Sequence, residues 1–591
     1  MTSNHLIHKK YEVVIVGGGI SGICAAIASA RQGVKTALIQ NRPVLGGNAS
    51  SEIRMHICGA DNHASRTNAR ETGIIEEILL ENKRRNPNHS FSILDTVMWE
   101  KVRFQEGLDL YLNTHVDDAV VENSVIRQVT ALQLSTEKRF VFEAEIFMDA
   151  TGDGTLAAIA GAEYRYGREG KAVFQEKYAP EESDTVTMGN TLLFKAVDTG
   201  SPVPFIKPQW ANTYQEEDLA YRSHQEFSSG YWWIELGGDG SQVIEDGEEL
   251  KDELLKAVYG VWDHIKNSGH HEAENYALDW VGFLPGKRES RRVLGDYVLK
   301  EQDCLEGRSF EDAIAYGGWP MDMHVEGGLR TRLEPTNFIF LKDVYTIPYR
   351  CLYSKNINNL MLAGRIISAS HMAFGSTRVM ATCGVIGQAG GTAAAMAVKK
   401  GILPRGMLIH IKELQQELLR QDCYIPGFHN EDREDLAKQA HITCSSHKDN
   451  YSCEAVVNGV SRQVREDANC WVSREIGSKD EWISFQFTQA VTPRHIHLKF
   501  DSNLSGELMT SLSDSVRLKQ THGIPPELVK DYVIEFYKED LLVYSEEIKD
   551  NYLRFRIHSF AGEIECDQVR VKVRSTNGDK HVRIFEVRIY E

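Results

Sequence analysis

The alternation of apolar runs and glycines near the start of the chain predicts a β–α–β unit. Residues 11–16 (YEVVIV) form a short β-branched run that is typical of a buried parallel strand. Glycines at 17, 18, 19 and 22 follow, and small residues over 23–31 then predict a helix that Gly33 ends. A second apolar run over 34–39 predicts the next strand, so the unit spans about thirty residues.

The later hydrophobic pattern changes twice. Apolar residues at 250, 254, 258, 261 and 265 recur in steps of four and three, which predicts an amphipathic helix ending near Gly269. This helix lies in a stretch rich in tryptophan and tyrosine. Apolar runs at 140–148 and 360–364 predict further buried strands, and small residues from 377 to 399 predict a long helix. Beyond residue 441, short alternating runs such as 482–487 and 569–573 predict an all-β region.

Composition and charge narrow the possible functions. The 591 residues carry 66 basic and 84 acidic side chains, and the net charge of −18 argues against general nucleic-acid binding. The ten cysteines form no CxxC or CxxxxC pair, which argues against a zinc ribbon, a local iron–sulfur ligand set or a dithiol relay. The N-terminal residues lack a signal-peptide pattern, so we expect a soluble, cytoplasmic protein without a transmembrane segment.

The first glycines carry the clearest chemistry. Gly17, Gly19 and Gly22 complete a GxGxxG fingerprint between a predicted strand and a predicted helix, the context in which a helix N-terminus binds a pyrophosphate. The second strand ends in Gln40, where an acidic residue usually accepts a hydrogen bond from the adenosine ribose. Gln40 offers an uncharged acceptor, and nearby Arg42 would favour a 2′-phosphate. The fingerprint alone therefore does not choose between dinucleotides.

Three further segments carry a family resemblance: LGGNAS at 45–50, DATGD at 149–153 and AGRIISASHMAFGSTR at 363–378. With the first fingerprint, they resemble the FAD-binding fold of the glutathione-reductase superfamily. The chain is more closely similar to bacterial FAD-dependent oxidoreductases that are distantly related to fumarate reductase flavoproteins. This resemblance covers about residues 10 to 405 and implies FAD as cofactor.

The resemblance also implies which residues contact the cofactor. The expected FAD-binding residues are Gly17, Gly19, Gly22, Gln40, Arg42, Gly46, Gly47, Asn48, Val116, Thr151, Gly152, Asp153, Gly364 and Arg365. Gly375, Arg378, Val379 and Met380 would lie beside the flavin ring. There, Arg378 and the N-terminus of the late helix would stabilise negative charge on a reduced flavin.

Three residues are candidates for catalysis. His371 lies in the late motif, where an imidazole can take a proton from a substrate hydroxyl, although a purely structural hydrogen bond explains it equally well. Arg378 and Arg54 are the other candidates. The cationic segment at 287–292 (KRESRR) fits either substrate binding or, slightly better, an ion-pair network between domains. Asp322 and His324 are too sparse a pair to indicate a metal site, and we predict none.

The C-terminal region carries a second resemblance. Segments at 457–462, 469–473, 480–485 and 584–590 are similar to the discoidin, or galactose-binding-like, jelly-roll domain. We therefore expect an α/β fold in which a Rossmann-like FAD-binding domain has an inserted α+β substrate domain and is followed by an all-β jelly-roll sandwich. The expected boundaries are 10–165 and 335–405 for the FAD domain, 166–334 for the insertion, 406–440 for a helical linker and 441–591 for the sandwich.

These expectations lead to one functional hypothesis and two alternatives. The first is an FAD-dependent oxidoreductase that moves hydride between flavin N5 and a small polar substrate such as a carbohydrate derivative, with an unidentified electron acceptor. The second is an NAD-dependent glycosidase that uses transient oxidation, because Gln40 and Arg42 are also compatible with a nicotinamide cofactor. The third is a non-catalytic glycan-binding or assembly protein with a structural nucleotide. Homo-oligomerisation is left open.

Overall fold

The computed structural model describes residues 6–477 and 479–591, which form two compact units. One unit contains the chain up to Asn62, Asn88–Leu414 and Met509–Gln520. The other contains His63–Pro87, Gln415–Leu508 and Thr521–Glu591. Two short segments depart from the expected linear boundaries. His63–Pro87, from the predicted FAD domain, belongs to the second unit, and Met509–Gln520, from the predicted sandwich, belongs to the first.

A five-stranded parallel sheet is the centre of the first unit. Its order is Leu360–Leu362, Ile146–Asp149, Val13–Val16, Thr36–Ile39 and Leu108–Tyr111. Helices Ile20–Arg31 and Met380–Lys400 pack closely against each other. Gly387 and Gly391 permit this approach, since a Cβ at either position would collide with the backbone of the first helix. The small residues of both helices thus have a packing reason, and the predicted β–α–β unit is present.

The apolar run at 140–148 forms two strands rather than the single strand expected. Lys138–Glu143 joins a four-stranded sheet with Leu6–Lys10, Val125–Gln133 and Thr114–Glu122, whereas Ile146–Asp149 belongs to the parallel sheet. The two strands are separated only by Ala144 and Glu145. A continuous apolar run does not reveal where the chain leaves one sheet for another, which explains the wrong prediction.

The inserted region is built around one long helix, Gly247–Asn267, whose apolar face is buried as its spacing predicts. Trp262 is completely buried, and Tyr231 stacks on Trp233, so several of the tryptophans and tyrosines of this region are core residues. The strands within this region and at its borders are short: Tyr164–Arg165, Asn190–Thr191, Phe194–Asp198, Glu235–Leu236, Tyr276–Val281, Gly286–Lys287, Arg292–Val293, Ala313–Gly317, Met321–His324, Thr336–Ile339 and Tyr345–Pro348.

The long helix predicted over 377–399 is present, and a short helix precedes it. His371–Thr377 and Met380–Lys400 are separate helices with a break at Arg378 and Val379. Met380–Lys400 is long and apolar enough to span a membrane, but 89% of its apolar window is buried inside the structure, as in a core helix. The other α-helices of this unit are Phe91–Arg103, Thr155–Ile159, Lys171–Phe174, Glu301–Leu305 and Asp514–Leu518.

The second unit contains two antiparallel sheets, as expected for an all-β region. One has the order His441–Cys444, Glu481–Val491, Cys566–Thr576, Val529–Lys538 and Leu541–Ile548; the other has Trp471–Glu475, His581–Tyr590, His495–Phe500 and Phe555–Ser559. Helix Ile74–Arg85 also belongs to this unit. The expected helical linker is only partly helical: Pro404–His410 and Leu436–Gln439 are 3₁₀ turns, and Ile411–Arg420 is an α-helix.

Candidate functional site

The glycine fingerprint forms a tight turn with open space on one side. Gly17 has a φ of +105°, and a Cβ there or at Gly22 would collide with neighbouring backbone. A Cβ at Gly19, in contrast, would meet nothing within 4 Å. In the described structure, no side chain caps the helix that starts at Ile20. The start of this helix therefore has no side-chain cap, and there is room for a phosphate at Gly19.

A second glycine loop adjoins this turn. Gly46 N donates to Gly18 O over 2.8 Å, and Gly46 and Gly47 both have positive φ angles, +108° and +58°. The Asn48 amide donates to the carbonyl of Lys287, which ties the loop to the cationic segment. The structure thus brings the first two sequence motifs together at the carboxyl end of the parallel sheet, where such folds bind ligands.

Gln40 braces the fingerprint turn. Its Oε1 accepts a hydrogen bond from Gly18 N over 2.8 Å, and its Nε2 donates to Val44 O over 3.3 Å. The side chain is buried, whereas Arg42 is exposed. Gln40 therefore has a structural role that the sequence did not indicate, while contacts of Gln40 and Arg42 with a ribose stay predictions.

Asp149 organises the DATGD motif from inside. It is fully buried and accepts hydrogen bonds from Thr151 N, Thr151 Oγ1 and Ala157 N, at 2.7–2.9 Å. Burial raises the pKa of its carboxyl group despite these bonds. The bonds hold the turn through Gly152, which has a φ of +78°. Asp149 thus sets the position of the predicted cofactor-binding residues Thr151 and Gly152.

Asp153 pairs with two cations, one from each of two other motifs. Its carboxylate lies 2.7 Å from Lys287 Nζ and 2.7 Å from Arg365 Nη2, and it accepts from Ser290 Oγ at 2.9 Å. Burial alone would raise its pKa, but Arg365 and Lys287 lower it to about 2. Asp153 is therefore ionised at neutral pH and holds Arg365 in place.

Arg365 is held against the DATGD turn with one donor unused. A Cβ at Gly152 would lie 2.8 Å from Arg365 Nη1, and Gly364 before it has a φ of +81°. Arg365 Nε is buried and makes no hydrogen bond within the described part of the chain. A buried guanidinium donor without a partner is costly, so this atom can donate a hydrogen bond to an acceptor from a ligand.

His371 forms a buried pair with Glu289. The two side chains are 5% and 0% exposed, and Nδ1 of His371 lies 2.9 Å from Oε1 of Glu289. Burial raises the pKa of Glu289, but His371 and Arg292 lower it below its ordinary value. The sequence singled out His371 but missed Glu289, because the partner lies 82 residues earlier.

Arg378 belongs to a neighbouring ionic cluster. Its Nη2 lies 2.7 Å from Asp322 Oδ2 and 3.1 Å from His324 Nε2, and His324 Nδ1 contacts Glu235. Burial acts to raise the pKa of Asp322, but His324 and Arg378 lower it strongly. The two residues judged too sparse for a metal site thus pair with Arg378. Arg378 Nε is a second buried donor for which the described residues offer no acceptor.

The cationic segment 287–292 connects these clusters. Lys287 pairs with Asp153, Arg288 with Glu235, and Arg292 with Glu169 and Glu289. Each of these cations is paired with an acid, which agrees with the interpretation as an ion-pair network. Because Arg288 and Glu289 are consecutive, this one segment reaches both the Arg378 cluster and His371.

The remaining expected residues lie in varied surroundings. Arg54 stacks over Trp280 with its guanidinium 4.1 Å from the ring centroid, and burial lowers its pKa. Val116 is buried in the strand Thr114–Glu122, Gly375 packs against Met323, and Val379 precedes the helix that starts at Met380. The roles of these residues at a cofactor stay predictions.

The combined geometry fits a flavin dinucleotide. The open space at Gly19 and the uncapped helix start suit a pyrophosphate, and the unused donors of Arg365 and Arg378 suit further oxygen acceptors. The fold and loops therefore define a dinucleotide-binding oxidoreductase. A family profile described as FAD dependent oxidoreductase matches residues 12–418, and the chain belongs to this family. Its cofactor is accordingly FAD, and the NAD-dependent and non-catalytic alternatives are set aside.

Solved structures similar to part of the chain are carbohydrate-binding modules. They include a Streptococcus pneumoniae fucose binding module, SpX-3, which is 14% identical, covers 27% of this chain and 97% of its own, and has a TM-score of 0.21. The family 32 module from C. perfringens NanJ in complex with galactose is 14% identical, with coverages of 26% and 96% and a TM-score of 0.19. At such scores we infer no ligand from them.

Proposed function

We propose that the protein transfers hydride between a small polar substrate, such as a carbohydrate derivative, and bound FAD, with His371 as the acid–base residue. The observation that carries this proposal is the buried His371–Glu289 pair. It lies within the motif whose neighbour Arg378 is expected beside the flavin. FAD supplies a two-electron hydride acceptor when it is bound.

Glu289 fixes the orientation of the imidazole and favours the tautomer with hydrogen on Nδ1. Its Oε1 faces His371 Nδ1, and its Oε2 accepts from Met188 N at 3.0 Å, so the carboxylate cannot turn freely. A neutral imidazole that donates from Nδ1 carries its lone pair on Nε2. The backbone N–H of His371 also donates to Glu169 at 2.8 Å, which fixes the start of the short helix. His371 Nε2 is thereby prepared to accept a proton.

The proton and the hydride leave the substrate by separate routes. In the oxidative direction, a carbinol C–H bond and its O–H bond break while the C=O bond forms. Bound FAD would supply the hydride acceptor, and His371 Nε2 accepts the hydroxyl proton. In the reductive direction, the same atom returns the proton. Glu289 stabilises the imidazolium in either direction because the carboxylate stays ionised, its pKa being lowered.

An anaerobic titration of the full-length protein tests this function. The flavin spectrum should be bleached by members of a panel of sugars, polyols and hydroxy acids, and reoxidised by the matching carbonyl compounds. Bleaching by sugars or polyols alone would support a carbohydrate-type substrate. Bleaching by hydroxy acids alone would show that the substrate is a hydroxy acid instead. Protein that binds FAD but reacts with no carbinol, while dithionite still reduces it, would contradict the proposal.

A further inference from the structure

We propose that Glu216, His224, His264 and His271 form a binding site for Zn²⁺ or a similar late first-row divalent ion in the inserted region. One donor atom from each of the four residues lies within 4.8 Å of all the others. Glu216 begins the 3₁₀ turn Glu216–Leu219, His264 lies near the end of the helix Gly247–Asn267, and the other two histidines lie in loops. A 3₁₀ turn, a helix and two loops therefore meet at this cluster.

The donor atoms have the separations of a single coordination sphere. His264 Nε2 lies 3.3 Å from His271 Nε2 and 3.0 Å from Glu216 Oε2. Glu216 is also 3.7 Å from His224 Nε2 and 4.0 Å from His271 Nε2. Tetrahedral zinc with bonds of about 2.0–2.1 Å places its ligands roughly 3.3–3.4 Å apart. The remaining donor separations lie within 4.8 Å, so small movements of the Glu216 and His224 side chains would complete this geometry.

Hydrogen bonds behind two of the rings direct their Nε2 lone pairs into the cluster. His264 Nδ1 lies 3.2 Å from Tyr214 O, and His224 Nδ1 lies 2.5 Å from Arg222 O. A carbonyl oxygen only accepts, so both Nδ1 atoms carry hydrogen and the neutral rings have their lone pairs on Nε2. Second-shell contacts of this kind orient metal-binding histidines.

The cluster also has an independent sign of a missing partner. His224 Nε2 is buried and makes no hydrogen bond among the residues that the structure describes. The His224 and His264 side chains are 4% and 2% exposed, so water does not freely replace that partner. In the neutral form of His264 with hydrogen on Nδ1, the Nε2 lone pair also faces Glu216 Oε2 at 3.0 Å. A divalent ion would satisfy every one of these atoms.

The ligand set indicates the type of metal and its role. Imidazole and carboxylate donors suit zinc and its first-row neighbours, whereas calcium and magnesium prefer oxygen ligands alone. Four protein ligands leave no open position in a tetrahedral site, which is typical of a structural rather than a catalytic ion. Bound there, the ion would join the long helix to the loops that carry His224 and His271, and so stabilise the inserted region.

Metal analysis of the full-length flavoprotein tests the site. Protein stripped with a chelator and then titrated with Zn²⁺ should bind about one ion per chain. His271→Gln should weaken that binding at least about tenfold, as loss of a direct ligand should exceed the loss of an outer contact. His270→Gln is the matched control, because His270 is adjacent and exposed and lies outside the cluster. Unchanged FAD content would show that both variants fold.

Two further results decide the case. Glu216→Gln changes an exposed side chain, so it should weaken zinc binding without unfolding the protein. X-ray absorption at the zinc edge should show nitrogen and oxygen ligands at about 2.0–2.1 Å with imidazole scattering. Wild-type protein that retains no zinc, His271→Gln protein that binds as tightly as wild type, or sulfur in the coordination sphere would overturn the proposal.

Discussion

Each unit contains a cluster of paired charged side chains, and the two clusters differ in their exposure to solvent. In the first unit, Asp153, Arg365 and Lys287 are 20%, 18% and 28% exposed. In the second, Lys499 and Glu586 are each 2% exposed and lie 2.6 Å apart. The partly exposed cluster can still meet a ligand, whereas the second can meet only protein. For these two clusters, exposure therefore distinguishes charges that can meet a ligand from charges that contact only protein.

The second unit's charges form a connected buried network. Lys499 and Arg588 both contact Glu586, and Arg554 contacts Asp422 at 3.0 Å. Burial acts to raise the pKa of Glu586, but Lys499 and Arg588 lower it to about 2. Since its unfolded pKa lies near 4.5, this carboxylate stabilises the unit above that value, and its contribution is lost as pH falls toward about 2. The network thus has an energetic role without any access to substrate.

The largest expected effect follows replacement of the proposed acid–base residue. His371→Gln should slow flavin reduction by the substrate about 10²–10³-fold, because amide groups cannot accept the proton that leaves the hydroxyl. Stopped-flow absorbance of the flavin would measure the rate, and FAD content should stay unchanged. His410→Gln, which alters an exposed histidine paired with Glu413, is the control. A rate within threefold of wild type would remove His371 from the mechanism.

The next largest effect should be on stability rather than activity. Lys499→Met leaves Glu586 with one fewer cation in a buried site, which should cost about 3 kcal/mol of unfolding free energy. Lys538→Met breaks an exposed pair with Glu565, so its unfolding free energy should stay close to that of the wild type. Urea unfolding would compare the two variants. Loss of flavin reduction rate in folded Lys499→Met protein would break the distinction between the units.

The stability of the second unit should also depend on pH through a buried histidine. Burial, with Arg588 and Lys499, lowers the pKa of His497 from 6.5 to about 3. As the pH falls below about 6.5, His497 is protonated in the unfolded chain but stays neutral in the folded chain. The free energy of unfolding therefore decreases as the pH falls from about 6.5 toward about 3. Between pH 7.5 and 5 the loss from His497 should be about 2 kcal/mol.

The matched variants for this pH effect are His497→Gln and His495→Gln. Glutamine cannot be protonated in this range, so His497→Gln should lose less stability on acidification. His495 is exposed, and its replacement should leave the pH dependence as in wild type. Hydrogen exchange of the strand His495–Phe500 and its neighbours would locate the change. Identical pH dependence in wild type and His497→Gln would refute the assignment.

The sequence predicted best what is contiguous. Gly17, Gly19 and Gly22 can be interpreted together because one turn needs all three, and the family match confirms the FAD assignment drawn from them and the later motifs. Gln40 was noticed, but its bond to Gly18 depends on how two loops meet. Glu289 and the histidine cluster were missed for the same reason. Their partners lie tens of residues away, and only tertiary folding brings them together.

The smallest expected effect is on cofactor affinity. Arg365→Gln should weaken FAD binding about tenfold, because it removes a charge-assisted donor while Lys287 still neutralises Asp153. Arg405→Gln is the control, since Arg405 forms a more exposed pair with Asp296 in the same unit. Equilibrium dialysis of deflavinated protein against FAD would measure both. If Arg365→Gln instead binds FAD normally and lowers only the unfolding free energy, the Asp153 cluster serves the fold in the same way as the buried network of the second unit.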